Sequence, residues 1–411
     1  MTIEIITIGD ELLIGQVIDT NSAWMAQLLN QYGFIIKYRT AIGDDSKQIK
    51  EAIKVACNRV SIVLVTGGLG PTKDDITKKT LCEYFKTKLV LNKKVLHDIE
   101  KLFEERGRII SPVNRMQAEI PENCIALRNS NGTAPGMLFE QKGKIIISMP
   151  GVPYEMRGIM EEHVIPFLNK NFKTPSIVHH TVLTHGIGES AIAELISDWE
   201  DALPKSMKLA YLPASGMVRL RITAISNEKN IKTQVSKQIK NLKPLISKYI
   251  YGEGDTNLQE LIANKLIENN ATLAIAESCT GGLISHLITS VPGCSKFYCG
   301  SIISYDNSVK LSTLGVKKNT LEKHGAVSEQ TVLEMAAGIQ KKFKTSYAIS
   351  TSGVAGPSGG TVEKPVGLVW IGIATPTKCF ARKVQYGSDR MRNITVFAQS
   401  AMRMLLRELD T

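Results

Sequence analysis

The chain has 411 residues, a length that exceeds what one hydrophobic core usually serves, so two or three domains are expected. Hydrophobic residues make up 43% and charged residues 22%, the net charge is +11, and no apolar run approaches the ~20 residues of a membrane span. A strand-like run directly after Met1 predicts a cytoplasmic protein without a signal peptide. The seven cysteines are scattered without a Cys-x-x-Cys pair, which argues against a disulfide framework and a structural zinc site.

The positive charge suits nucleic acid, anionic small substrates or simply a basic proteome, and charge alone does not choose among them. The lysines between residues 229 and 248 are spread over a segment with few aromatic residues. That pattern is more typical of solvated faces than of an RNA-binding stripe. Nucleic acid is therefore not an expected partner, and neither is a membrane.

Strand-like and helix-like stretches alternate over the first 65 residues. Strands are expected at 3–8, 34–42 and 60–65, and helices at 19–33 and 46–58. Such alternation predicts a parallel sheet covered by helices on both faces. In sheets of this kind, ligands bind beyond the carboxyl ends of the strands.

Two loops stand at those strand ends, Gly9-Asp10-Glu11 and the glycine-rich segment 66–75. Glycines let backbone amides approach a phosphate, and acidic side chains can hold a divalent ion. The simpler alternative is that Asp74 or Asp75 caps the helix over 76–85. A cap explains one aspartate but not the whole loop. Further oxygen ligands for a metal would come from neighbouring strand ends, at Asp10, Glu11, Asp44 or Asp45.

A further strand is expected at 144–148, followed by the turn Pro150-Gly151-Val152-Pro153, with a hairpin-like excursion over 128–140. Together with segments 9–13 and 67–75, this turn resembles the amino-terminal domain of the CinA family, which is similar to the molybdopterin-binding domain of cofactor-biosynthesis proteins. The resemblance implies cleavage of ADP-ribose and similar pyrophosphates with a divalent metal, Mg²⁺ or Co²⁺. It implies nucleotide contacts at Gly67, Gly68, Gly70 and Thr72 and metal ligands at Asp10, Asp44, Asp74 and Asp75.

The composition changes between residues 171 and 252. A strand over 177–183 leads through Gly186-Ile187-Gly188 into a helix, and segments 208–212 and 218–224 alternate as an antiparallel pair. A small α+β module is expected. By resemblance, the CinA family has a KH-like connector here that spaces the outer domains and helps a dimer form. The segment has no clear Gly-x-x-Gly loop, so RNA binding is not expected.

The stretch from Ala271 to Gly282 places two hydroxyls and a thiol at a predicted strand-to-helix turn. Such a turn aims backbone N–H groups and the positive end of the helix dipole at an oxygen. Ser278 or Cys279 would be the nucleophile. The simpler alternative is a helix N-cap made by Ser278 or Thr280, with Cys279 buried.

The rest of the C-terminal region supplies further polar groups at strand ends. A strand over 297–304 delivers Tyr305 and Lys310, a glycine-rich loop over 351–360 can wrap an anion, and segment 387–392 brings two arginines. Neither His286 nor His324 has a neighbouring pattern that suggests an orienting carboxylate. A Ser-Lys pair is therefore favoured over a histidine base, with Lys310 as base and Tyr305 as relay. The simpler alternative for each residue taken alone is that Lys310 is an exposed lysine on a helix and that Tyr305 is an aromatic residue with a packing role.

These motifs resemble, over residues 258–406, the carboxy-terminal domain of the CinA family, a nicotinamide-nucleotide amidase of pyridine-nucleotide salvage. The resemblance implies that Ser278 is the nucleophile, Lys310 the base and Tyr305 its helper, with no cofactor. Arg390 would hold the ribose phosphate, with Arg392 as the alternative. The implied substrate contacts are Cys279, Thr280, Gly281, Thr351, Gly353, Val354, Ala355, Gly356 and Arg390.

The expected fold is α/β, with two αβα three-layer domains over 1–170 and 253–411 joined by a small KH-like α+β connector over 171–252. The expected function is hydrolysis of nicotinamide mononucleotide to nicotinate mononucleotide and ammonia, with a second, metal-dependent ADP-ribose pyrophosphatase in the first domain. The expected partners are these anionic nucleotides and a second copy of the chain in a homodimer. The alternative is a non-enzymatic adaptor linked to competence or DNA damage that associates with nucleic acid.

Overall fold

The alternation of strands and helices predicted from the sequence is present in the computed structural model, which describes residues 1–72, 74–214, 217–228, 230–254 and 256–409. The chain divides into two compact units. One consists of residues 1–179, 204–208 and 223–238, and the other of residues 180–203, 209–222 and 239–411. Within the described ranges, no helix has both the length and the apolar character needed to cross a membrane.

The N-terminal region is built on a mixed sheet. Its strands are β1 (Thr2–Ile8), β2 (Ile35–Ile42), β3 (Ile62–Thr66), β4 (Leu89–Leu91), β5 (Glu119–Pro121), β6 (Ile125–Leu127), β7 (Gly136–Gln141) and β8 (Lys144–Met149). Its helices are α1 (Asp10–Leu13), α2 (Thr20–Gln31), α3 (Ser46–Arg59), α4 (Thr77–Phe85), α5 (Lys93–Glu105), α6 (Pro112–Arg115), α7 (Pro153–Ile159) and α8 (Ile165–Asn171). The sheet order is β2-β1-β3-β8-β7-β6, and β4 pairs with β5 separately.

The first four strands in that order are parallel, whereas β7 and β6 are antiparallel additions. The alternation over the first 65 residues predicts the parallel part of the sheet, and the hairpin-like excursion expected over 128–140 corresponds to the antiparallel edge formed by β6, β7 and β8. Helices cover both faces as expected, since side chains alternate along each strand. Ile3 and Ile5 pack in one core with Met25, and Ile6 and Ile8 pack in the other with Ile49.

The connector has a four-stranded sheet in the order β10-β11-β9-β12. Its elements are β9 (Ser176–His185), α9 (Glu189–Asp201), β10 (Met207–Ala214), β11 (Met217–Ser226), α10 (Ile231–Ile246) and β12 (Ile250–Glu253). The predicted pair of strands around 208–212 and 218–224 corresponds to the neighbours β10 and β11. The small α+β module expected here is confirmed.

The C-terminal region has the strands β13 (Leu273–Glu277), β14 (Tyr298–Ile303), β15 (Tyr347–Gly353), β16 (Leu368–Ala374) and β17 (Cys379–Gln385). Its helices are α11 (Leu258–Glu268), α12 (Leu283–Thr289), α13 (Asn307–Leu314), α14 (Lys318–His324), α15 (Glu329–Phe343) and α16 (Arg390–Leu409). The sheet order is β14-β13-β15-β16-β17, with β14, β13 and β15 parallel and the last two strands antiparallel.

Burial on both faces fixes the register of the central strand β13. Leu273 and Ile275 pack against residues of α11, α12 and α16, whereas Ala274 and Ala276 pack against residues of α15. A shift of one residue would exchange these faces, so the register is strongly specified. The carboxyl ends of β13, β14 and β15 consequently lie side by side, and the loops that follow them carry Ser278, Tyr305 and Val354.

Candidate active site

The turn after β13 has the strand-to-helix geometry that the sequence predicts. β13 ends at Glu277 and α12 begins at Leu283, with Gly281 and Gly282 at φ 60° and 100°. Those left-handed conformations suit glycine because other residues meet a steric penalty there. The Ser278 N–H donates to the Thr351 carbonyl oxygen at 3.1 Å, which ties the turn to the end of β15.

Glu277 stabilises this turn through hydrogen bonds to its carboxylate. Its carboxylate, fully buried, accepts from the N–H groups of Gly282 at 3.0 Å, Ile284 at 3.2 Å and Ser285 at 2.9 Å, and from the Ser285 hydroxyl at 2.6 Å. The first N–H groups of a helix have no partner within the helix, so a buried carboxylate stabilises them strongly. Sequence analysis did not assign Glu277 a role, although an acidic residue just before a helix start is a typical signal for one.

We expect Glu277→Ala to lower the free energy of unfolding by about 2–4 kcal/mol, because several buried donors lose their charged acceptor together. Calorimetric unfolding of the full chain measures this change. Glu277→Gln keeps an amide oxygen as acceptor and serves as the milder control. An alanine variant with wild-type stability would show that these hydrogen bonds contribute little.

Lys310 lies on α13 and is 1% exposed. Its Nζ lies 3.3 Å from Ser278 Oγ, 2.6 Å from the Ser304 carbonyl oxygen and 3.1 Å from the Tyr305 carbonyl oxygen. Burial lowers the pKa of Lys310 because the charged ammonium is poorly solvated there. A neutral amine that donates both hydrogens to the two carbonyls has its lone pair left for the Ser278 hydroxyl. The arrangement therefore suits a general base.

The neighbouring thiol is less suited to nucleophilic attack. Cys279 is 7% exposed, and burial raises its pKa to about 12. A thiolate is the reactive form of cysteine, so this environment keeps Cys279 in its unreactive thiol form near neutral pH. The geometry therefore favours Ser278 over Cys279 as the nucleophile.

Ser278, Cys279, Tyr305 and Lys310 line one cavity of about 280 Å³. The predicted glycine loop, residues 353–356, and Arg390 also line it. The lining residues that sequence analysis did not single out are Asn307, Ala326 and Val327, whereas Ser352, Ser358 and Gly359 belong to the predicted glycine-rich loop 351–360. Asn307 was detectable from its helical spacing to Lys310, whereas Ala326 and Val327, ahead of α15, carry no chemical signal in the sequence.

Three of the predicted substrate contacts are absent from the residues that line the cavity: Thr280, Gly281 and Thr351. Thr280 and Thr351 are buried, and their hydroxyls hydrogen bond to each other at 2.8 Å behind the turn. Their side chains therefore hold the turn to β15 instead of facing a ligand. Gly281 supplies the turn's left-handed backbone.

Tyr305 occupies a different position from that expected of a relay. Its backbone carbonyl accepts from Lys310, but its hydroxyl accepts from Arg390 Nη2 at 3.2 Å, and the side chain is 63% exposed. Arg390 Nη1 also donates to the Gly356 carbonyl oxygen at 2.8 Å. The phenol thus belongs to the arginine end of the cavity. Of the two arginines considered, Arg390 lines the cavity and Arg392 does not.

Two backbone N–H groups at the turn have no oxygen acceptor within the described part of the chain. Among the described residues, neither the Cys279 N–H nor the Thr280 N–H donates to a backbone or side-chain oxygen. The Ser278 N–H, in contrast, is engaged by Thr351. Free N–H groups next to a nucleophile are the usual components of an oxyanion hole.

The N-terminal region contains a second polar cavity, of about 380 Å³, at the carboxyl ends of β1, β3 and β8. The predicted loop residues Gly67, Gly68 and Gly70 line it, together with the acidic side chains of Glu11, Asp44, Asp74, Asp75 and Glu155. Gly67 has φ 117°, and a Cβ there would lie 2.2 Å from the Ile8 carbonyl oxygen. Only glycine allows the loop to approach β1 so closely.

The four aspartates predicted as metal ligands do not form a ready-made metal site. Asp75 holds its own loop, since its carboxylate accepts from the N–H groups of Gly70 at 2.8 Å and Thr72 at 2.9 Å. Asp10 and Asp44 each accept the other's backbone N–H, and Asp10 does not line the cavity. In the part of the chain that is described, no group of three or more His, Cys, Asp or Glu side chains could hold a metal ion.

A bound cation would nevertheless stabilise the charged form of Asp44. The pKa of Asp44 is raised by burial and by the negative charges of Asp10, Glu11 and Asp74. Like charges so close together repel one another, and a bound divalent ion would offset that repulsion. The predicted Thr72 contact lies beside Lys73, which is outside the described residues, and Thr72 does not line the cavity.

Comparison with known proteins assigns all three parts of this architecture. Residues 4–170 match the probable molybdopterin binding domain, residues 179–252 the KH domain of damage-inducible protein CinA, and residues 255–409 the CinA C-terminal domain. The chain is therefore an α/β protein in which a molybdopterin-binding-like domain and a CinA C-terminal domain flank a KH domain.

Relatives are similar to this chain over nearly its full length. A CinA-like protein of Cytophaga hutchinsonii is 47% identical over 407 residues, which cover 99% of this chain and 97% of that protein. A CinA-like protein of Flavobacterium psychrophilum is 46% identical, over 100% of this chain and 99% of its own. The chain belongs to the CinA family. Among solved structures, the competence/damage inducible protein CihA of Agrobacterium tumefaciens is 33% identical over 38% of this chain and 98% of its own, with a TM-score of 0.36.

Proposed function

We propose that the C-terminal domain hydrolyses the carboxamide of nicotinamide mononucleotide to give nicotinate mononucleotide and ammonia. The observation that carries this proposal is the buried Lys310 amine 3.3 Å from the Ser278 hydroxyl. The pair lies in one cavity with the glycine loop and Arg390. A nucleophile with its base suits acyl transfer, and an arginine beside a glycine loop suits a phosphate.

In the first half of the reaction, Ser278 Oγ attacks the carboxamide carbon and Lys310 Nζ takes the hydroxyl proton. The N–H groups of Cys279 and Thr280 stabilise the oxyanion, a contribution on the order of 3 kcal/mol for each good donor. The carbon–nitrogen bond then breaks as Lys310 returns the proton to the leaving ammonia. In the second half, Lys310 takes a proton from water as its oxygen attacks the carbon of the serine ester. The bond from that carbon to Ser278 Oγ then breaks, Lys310 returns the proton to Ser278 Oγ, and the acid product loses its own proton to solvent as the carboxylate.

The substrate phosphate would lie at the other end of the cavity, against Arg390 and the loop 353–356. The Gly356 carbonyl and the Tyr305 hydroxyl hold the guanidinium in place before a substrate arrives. Tyr305 would act there as a positioning residue for Arg390. Such preorganisation reduces the entropy lost on binding.

We expect Arg390→Ala to raise KM for nicotinamide mononucleotide by about 10–100-fold with a smaller change in kcat, because a charge-assisted contact to a non-reacting phosphate is lost. Steady-state kinetics measures both constants. Arg392→Ala is the matched control and should resemble the wild-type protein. A larger effect of Arg392→Ala would reassign the phosphate contact.

A panel of related amides tests the proposed substrate. The full chain should release ammonia fastest from nicotinamide mononucleotide and more slowly from nicotinamide riboside and nicotinamide, which lack the phosphate. Chromatography should recover nicotinate mononucleotide in a 1:1 ratio to ammonia. Equal rates on all three amides would contradict a phosphate-binding function for Arg390 and the glycine loop.

We also propose that the N-terminal cavity cleaves ADP-ribose or a similar pyrophosphate with a divalent ion. The observation in favour is the glycine loop that shares this cavity with Asp44, Asp74 and Asp75. Mg²⁺ commonly binds through one or two carboxylates plus substrate phosphates, so a site without three converging carboxylates still fits it. Asp44 and Asp74 would hold the ion, which would neutralise charge on the pyrophosphate. Asp75 would shape the loop.

We expect Asp75→Ala to abolish metal-dependent cleavage of ADP-ribose, since the loop amides lose the carboxylate that orders them. Ammonia release from nicotinamide mononucleotide should be unchanged. Chromatographic detection of AMP with and without added Mg²⁺ or Co²⁺ measures the first activity. Loss of both activities in the same variant would argue against two independent sites.

A further inference from the structure

Asn307 is a cavity residue to which the mechanism above gives no role. It is the first residue of α13 and lines the cavity together with Ser278 and Lys310. Asn307 and Lys310 are three residues apart, a spacing that places side chains on one face of a helix. The start of α13 is already capped by Asp306, which accepts from the Ser308 N–H at 2.7 Å and the Ser308 hydroxyl at 2.6 Å. The Asn307 side chain hydrogen bonds to no residue within the described ranges.

The proposed reaction needs an acceptor near Lys310. When the carboxamide oxygen faces the N–H groups of Cys279 and Thr280, its nitrogen lies on the opposite side of the reacting carbon. Lys310 must reach that nitrogen to return the proton. The amide N–H groups then gain from an acceptor, because a polar group that leaves water without a new partner costs binding free energy.

Each of the other oxygens described near Lys310 already takes part in one hydrogen bond. The carbonyls of Ser304 and Tyr305 both accept from Lys310 Nζ. The Ser352 hydroxyl donates to the Ala326 carbonyl at 2.7 Å, and the Tyr305 hydroxyl accepts from Arg390. Ser358 belongs to the glycine-rich loop 351–360, parts of which line the cavity. Asn307, on the helix that carries the base, is a cavity residue whose amide oxygen accepts from none of the described residues.

We propose that Asn307 accepts a hydrogen bond from the substrate carboxamide nitrogen and so holds the leaving group toward Lys310. The inference rests on the proposed amidase function and adds a residue that contacts the reacting amide. An aspartate at position 307 would keep the acceptor for an amide N–H. The same aspartate would repel the carboxylate of the product. A contact with the amide should therefore make the aspartate lower the affinity for the product more than the affinity for the substrate. A contact with the ribose or the phosphate, which substrate and product share, should lower both affinities alike.

Calorimetric titration tests the inference in a Ser278→Ala background, in which the substrate persists. Adding Asn307→Asp should change the affinity for nicotinamide mononucleotide by no more than about threefold relative to Ser278→Ala alone. It should lower the affinity for nicotinate mononucleotide by about tenfold or more. Adding Asn307→Ala should lower the affinity for nicotinamide mononucleotide by about three- to tenfold. Asn319→Asp, on the exposed surface of α14, adds the same charge outside the cavity and should change neither affinity.

If Asn307→Asp lowered the affinities for both nucleotides equally, the inference would be overturned, because a contact to the ribose or the phosphate would then explain the result. The amidase proposal would remain intact. Equal effects of Asn307→Asp and Asn319→Asp would also overturn the inference as a general effect of charge. If the Ser278→Ala protein binds neither nucleotide, the proposed function itself fails, and the role of Asn307 fails with it.

Discussion

Replacing Ser278 with alanine is expected to lower the rate of ammonia release from nicotinamide mononucleotide by about 10³-fold or more. The substitution removes the oxygen that lies 3.3 Å from Lys310 Nζ but keeps the backbone of the turn. The Ser278 N–H should still donate to Thr351, and Glu277 should still cap α12. The loss should therefore appear in kcat, with the affinity for the nucleotide largely preserved.

Cys279→Ala is the matched control, one residue along the same turn. Its thiol is buried with a pKa raised to about 12, and the backbone N–H proposed for the oxyanion remains in the alanine variant. We expect this protein to keep most of its activity. Loss of turnover in Cys279→Ala, with full activity in Ser278→Ala, would make the thiol the nucleophile.

Replacing Lys310 with methionine is expected to lower kcat/KM by about 10²–10⁴-fold, the usual contribution of a positioned general base. Methionine is unbranched and one heavy atom shorter than lysine, so it suits the buried position, but it has no amine to accept the serine proton. Lys310→Arg should be nearly as inactive, because a guanidinium stays protonated. Circular dichroism would establish that both variants are folded. Wild-type turnover by either variant would remove Lys310 from the mechanism.

The pH dependence of the wild-type protein follows from the same residue. Burial lowers the pKa of Lys310 below its usual value of 10.5. The base must be neutral to accept a proton, so kcat/KM should rise with pH and level off above that lowered pKa. The midpoint should therefore lie below 10.5. A rate that falls as pH rises through this range would contradict a lysine base.

Much of this architecture was predictable because buried strands and strand-to-helix turns have clear sequence patterns. The apolar run before Ser278 and the glycines after it locate the nucleophile turn. The turn residues in segment 128–140 predicted the hairpin at the edge of the N-terminal sheet, but the antiparallel edge of the C-terminal sheet was not predictable in the same way. A buried strand such as β16 has the same apolar composition whether its neighbours run parallel or antiparallel.

Side-chain roles were harder to predict than positions, because a residue type does not state its partner. Thr280 and Thr351 look like ligand contacts in the sequence, but their hydroxyls pair with each other. Tyr305 follows the strand that brings Lys310, yet its hydroxyl contacts Arg390. Asp75 looks like a metal ligand, but it holds Gly70 and Thr72. The first two differences arise from contacts between residues far apart in the chain, whereas Asp75 makes local contacts that a metal-ligand interpretation of its loop overlooks.

The most direct test of the Ser278-Lys310 site is ammonia release from nicotinamide mononucleotide by the purified full chain, with Ser278→Ala assayed beside it. The wild-type protein should produce ammonia and nicotinate mononucleotide in equal amounts, and the alanine variant should produce neither above the uncatalysed background. No ammonia from the wild-type protein, or the same rate from both proteins, would contradict a serine amidase.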